Sequence, residues 1–104
     1  MDDPEALTRN YRITFLRYLP RHDEAALTRA YDLGRQAVAA GVSLLDILSI
    51  HHIVLAEIFR ETPDEGAEIM RAAAAFFAEV AAPYDMVQRA FLDNKLDRTY
   101  RLGA

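Results

Sequence analysis

Three histidines, His22, His51 and His52, are the side chains of this chain best suited to metal or acid–base chemistry. His51 and His52 are adjacent, and neighbours on a helix point about 100° apart, so the two cannot converge on one ligand. Neither has a second ligand four residues on, and no His-Glu-x-x-His pattern exists. His51 falls within an apolar arc beside Leu44, Ile47, Leu55 and Ile58, which reads as a buried, hydrogen-bonded core histidine. His52 lies at the edge of the polar side, and His22 lies in a turn where water solvates it. The serines are Ser43, at a helix start, and Ser49, and neither has a recognisable histidine and acid partner. Asp64, Glu65 and Glu68 serve a helix start rather than form an acid–base pair. No glycine-rich phosphate loop is present. The sequence therefore predicts no catalytic site, no metal site and no cofactor, and the tyrosines and phenylalanines, mostly at core spacing, read as packing.

These residues sit in a chain of 104 residues, enough for one modest core. Cysteine is absent, which rules out disulfides and fits a reducing cytoplasm. No signal peptide or membrane-spanning run is present. Net charge is −4, and the eleven arginines and single lysine are mixed with acids, so there is no basic stripe for nucleic acid. No stretch alternates in the manner of a strand. The fold class is all-α, a four-helix bundle.

The first helix starts at Asp3 as N-cap with Pro4 behind it, carries Leu7, Tyr11, Phe15, Tyr18 and Leu19 inward, and stops before Pro20. Ile13 and Leu16 lie on its other side among arginines. The second starts after Asp23 and ends near Ala40, with Gly41 as its stop and Leu27, Ala30, Tyr31, Gly34, Ala37 and Val38 inward. Gly34 in mid-helix costs about 1 kcal/mol against alanine, which points to a close crossing that needs its missing side chain. The third starts at Ser43, with Asp46 in a capping-box-like place, and runs through Phe59. Its apolar arc (Leu44, Leu45, Ile47, Leu48, Ile50, Val54, Leu55, Ile58, Phe59) makes it either the central helix or a seam between subunits. The fourth opens with Thr62 as cap and Pro63 in its first turn.

In the fourth helix Ile69, Ala73, Phe76, Phe77 and Val80 share one face, and Tyr84, Val87 and Phe91 continue it beyond Pro83 without loss of phase. One long helix kinked at Pro83 is the reading this favours, and two helices meeting at the proline is the alternative. A thinner stripe, Leu92, Leu96 and Thr99, resembles the start of a coiled-coil seam leading into a longer protein.

Three segments carry a resemblance: Glu24 to Gln36, Gly41 to His52 with its Ser49-Ile50-His51, and Phe77-Ala78-Glu79 followed by Ala82-Pro83-Tyr84-Asp85-Met86. In this order, over Tyr11 to Phe91, they resemble the N-terminal domain of RsbU-type serine phosphatases, positive regulators of the bacterial general stress response. The resemblance implies that residues 1–104 are one non-catalytic regulatory and dimerisation domain, placed ahead of a PP2C-like phosphatase domain. It implies a homodimer and a GHKL kinase-like switch protein as partners, whose binding turns on a phosphatase that acts on an anti-sigma-factor antagonist. The phosphatase domain's metal-binding aspartates are not found in this chain.

Mapped onto this sequence, the partner surface would comprise Glu24, Thr28, Asp32 and Arg35 of the second helix with Asp85, Met86 and Arg89 near the bend, and Pro83 would be the hinge. Ile13, Leu16, Leu48 and Leu55 are the residues expected at a dimer interface. The rival readings are a stand-alone homodimeric adaptor and a small-molecule or metal sensor built on the bundle core and His51.

Overall fold

A computed structural model describes residues 4–103, with side chains from 5 to 95. Among the described residues the chain forms helices α1 (Pro4–Arg21), α2 (Glu24–Ala39), α3 (Leu44–Glu61) and α4 (Gly66–Gly103), with a 3₁₀ turn at Pro63–Glu65 and no strand. The expected cap Asp3 lies outside the described residues.

Local chemistry sets most of the boundaries. The Asp23 carboxylate accepts the Ala26 N–H at 2.9 Å, and Ser43 Oγ, the expected cap of the third helix, accepts the Asp46 N–H at 3.1 Å. Helix α2 ends in a Schellman pattern: Val42 N–H donates to the Ala37 carbonyl at 3.0 Å and Gly41 N–H to that of Val38 at 3.1 Å. This closure needs Gly41 in the left-handed region, at φ +77°.

Two boundaries differ from expectation. Helix α1 does not stop before Pro20 but runs through it to Arg21. In the last turn the proline forfeits a single backbone bond, and its preset φ still suits the helix. The stop comes at His22, with φ +50°, whose N–H donates to the Tyr18 carbonyl at 2.7 Å while its ring stacks on Tyr18 at 5.1 Å. Thr62 does not cap the fourth helix. Its hydroxyl turns back to the Ile58 carbonyl at 2.8 Å and closes α3, and Pro63–Glu65 then winds tightly into α4.

Tyr11, Phe15 and Tyr18 of α1 meet Ile47, Ile50, Val54 and Ile58 of α3 and Ile69, Phe76 and Val80 of α4 in the core. Phe76 is its hub, edge-on to Tyr11 at 5.2 Å and tilted against Phe15 at 5.0 Å. Rings of this size contribute roughly 1.5–3 kcal/mol each through burial. His51 is buried, as expected, and its Nδ1 shares a hydrogen bond with the Tyr11 hydroxyl at 2.6 Å.

The buried face of α2 is rotated from the expected one. Ala26, Ala30, Leu33, Gly34 and Ala37 are inside, while Leu27, Tyr31 and Val38 are half-buried flanks. Small residues form the contact, so α2 and α4 approach closely and make the most extensive pairing in the bundle. Helix α3 is not central. It buries one stripe and exposes Leu44, Leu45, Leu48 and Ile53 on the other.

Helix α4 is a single helix through Pro83, which is itself buried. The core, however, ends at Tyr84, whose hydroxyl donates to the Val42 carbonyl at 2.8 Å. Val87 and Phe91, expected to continue the core, are exposed because α4 has by then run past its neighbours. The molecule is correspondingly elongated, 60 × 29 × 22 Å. Leu92 is also exposed, and the side chains of Leu96 and Thr99 lie outside the described residues.

Candidate interaction surface

The seam between α2 and α4 is built around Gly34. A Cβ at this position would collide with the Val80 carbonyl, lying 2.9 Å from its carbon and 3.1 Å from Pro83 Cγ. Glycine is required here by a close backbone approach. Farther along the seam the Tyr31 hydroxyl donates to Met86 Sδ at 3.4 Å, tying the two helices together at the surface.

Around this seam the structure gathers some of the expected partner residues and separates others. Glu24, Thr28 and Arg35 are exposed on the outward side of α2, next to the Tyr31 flank, with the Thr28 hydroxyl donating to the Glu24 carbonyl at 3.0 Å. Asp32 is half-buried and leans toward α1, where it lines a groove with Ile13 and Arg17 while reaching Arg35 at 3.5 Å. Met86 joins α2 through Tyr31. Asp85 and Arg89 are exposed and pair with each other at 2.8 Å, with Arg89 one turn beyond Met86 on α4 and Asp85 about 100° round the helix from Met86. Tyr31 is the seam residue that sequence reasoning assigned to the core instead.

The residues expected at a dimer interface fall on separate faces. Glu57 faces α1, where it accepts both Arg12 Nε at 2.8 Å and a second Arg12 nitrogen at 3.0 Å. Leu48 and Leu55 lie on the opposite flank of α3 from Glu57, by helical geometry. Leu16 is 46% exposed and sits on the α1 side of that helix, at the bundle end.

Electrostatics are mild. The Arg12 guanidinium holds the Glu57 carboxyl below the usual carboxylate range. Burial, reinforced by neighbouring His52, pushes His51 toward its neutral form, and burial raises the Tyr11 phenol. In the neutral ring one nitrogen carries a proton and the other accepts, so the Tyr11 hydroxyl and Nδ1 can satisfy each other. Among the described residues no group of three His, Asp or Glu side chains is placed to hold a metal ion. No helix among them is long and apolar enough to cross a membrane.

Residues 9–87 match the family described as phosphoserine phosphatase RsbU, N-terminal domain. The chain belongs to that family. No curated protein and no solved structure matches it. The RsbU N-terminal domain is the regulatory part of such a phosphatase, not its catalytic domain, and no catalytic phosphatase domain is seen in this chain. The match takes in the whole Gly34–Val80–Pro83 crossing and both Tyr31 and Met86, and it stops short of Arg89.

Proposed function

We propose that residues 1–104 act as one cytoplasmic, non-catalytic interaction and dimerisation domain of a stress-response phosphatase regulator. A GHKL kinase-like switch protein docks on the α2–α4 seam, and docking activates a downstream phosphatase that dephosphorylates an anti-sigma-factor antagonist. Family membership and one observation support the reading. The tight glycine crossing holds Glu24, Thr28, Arg35 and Met86 on two closely packed helices. Pro83, beside that crossing, serves as the hinge through which docking alters the course of α4.

Light scattering coupled to size-exclusion chromatography tests this, on the purified chain alone and with kinase-like proteins from the same genome. A dimer that enters a larger complex is the expected outcome, and Thr28→Arg or Arg35→Glu should abolish the complex while leaving the helical content unchanged. Undiminished binding by both variants would remove α2 from the docking surface.

A further inference from the structure

The last turns of α1 form a ridge at one end of the bundle, with Leu16 and Pro20 both exposed. Two clefts of similar size, about 430 and 440 Å³, flank this ridge and share both residues as walls. They carry opposite charge. On the α3–α4 side the rim holds Glu61, Glu65 and Glu68 over a floor that includes Leu19, Ile58 and Ile69. On the α2 side the cleft is lined by Arg17, Arg21 and Arg29, with the Asp23 carboxylate already engaged in capping α2.

Within the chain these charges are largely unspent. Among the described residues the salt bridges are Arg12–Glu57, Arg35–Asp32 and Arg89–Asp85, none of which involves either rim. Glu61 feels Arg12 at longer range, and Glu65 and Glu68 complement the start of α4, which leaves their outer sides open to a cation.

A surface with acid on one side of an apolar ridge and base on the other is complementary to itself. A two-fold axis laid along the ridge brings the acidic cleft of each copy onto the basic cleft of the other and packs Leu16 against its counterpart. The contact is isologous and closes at two copies, so it does not propagate into fibres. We propose that the bundle end centred on Leu16 and Pro20 is the docking surface for a second copy of this chain, with each acidic cleft taking the other copy's arginines. This rests on the dimerisation reading above and gives it a place.

Charge swapping tests it. Glu65→Arg with Glu68→Arg makes both clefts basic, and Arg17→Glu with Arg21→Glu makes both acidic, so like charges oppose each other in either homodimer. Each double variant, checked for wild-type helicity by circular dichroism, should dissociate at least a hundredfold more readily than wild type in sedimentation equilibrium. Mixed in equal amounts, the two should recover a heterodimer, and raising the salt should weaken that heterodimer and wild type alike. A wild-type dimer unmoved by either variant would overturn this surface and leave dimerisation standing. A mixture that stays monomeric would overturn the charge pairing, and a monomeric wild type would remove the dimerisation reading itself.

Discussion

The backbone of Gly34 in α2 rests on the carbonyl of Val80 in α4, with no room between them for a methyl group. The obstacle is main chain rather than the end of a flexible side chain, so it cannot be rotated away. Gly34→Ala gains about 1 kcal/mol in helix propensity and forces the helices apart, at an overpacking cost of about 1–3 kcal/mol. The expected net result is a less stable domain in urea denaturation, together with weaker binding of the proposed kinase-like partner. A variant as stable as wild type would show that the crossing opens freely.

His51 gives the fold a dependence on pH with a definite sign. Its folded pKa is lowered by burial and by His52, so the unfolded chain binds more protons around its ordinary value of 6.5. Stability is therefore complete above that value and declines as pH falls through it toward the folded pKa. Denaturation curves at pH 7.5 and 5.5 should show the loss, and His51→Gln should reduce it.

Tyr11→Phe removes the hydroxyl bonded to His51 Nδ1 and strands a buried ring nitrogen. A cost of about 1–3 kcal/mol is expected.

Glu57 acts in a lower window. Its folded pKa is depressed by Arg12, so its contribution is present above the ordinary value of 4.5 and is lost as pH falls below it. Glu57→Gln should flatten the acid limb of the stability profile without changing the limb due to His51. Because the pair is about one-third exposed, its effect at neutral pH should be small and should shrink with added salt.

Tyr84→Phe deletes the bond from α4 to the Val42 carbonyl in the turn before α3. A loss of about 0.5–1.5 kcal/mol is expected. Hydrogen exchange should rise first at the turn around Val42, since this bond fastens it to α4.

The Ser43 cap and the Gly41 stop were legible in the sequence because both act on their nearest neighbours. The core role of His51 was legible because its surroundings repeat at helical spacing. The α2 face was misread by weight of hydrophobicity: Leu27, Tyr31 and Val38 outweigh alanine and glycine on any scale, yet a close crossing selects small residues and leaves the large ones on its flanks. The end of the core at Tyr84 was hidden for another reason. Val87 and Phe91 keep the phase of the core stripe, and only the lengths of the neighbouring helices decide that nothing lies opposite them. His22 as a helix stop had a faint signal, since histidine tolerates the left-handed region better than most residues. Tyr31 became a surface link only once Met86 was known to lie beside it.

The Gly34–Val80 crossing also works as a fulcrum. Beyond Pro83, α4 extends about 30 Å at 1.5 Å per residue, mostly past the bundle. Turning that arm by 10° at the crossing sweeps its far end through about 5 Å, a distance of the order of one helical pitch. The absence of a single methyl group at position 34 thus fixes not only how tightly two helices meet but where a point three nanometres away is aimed.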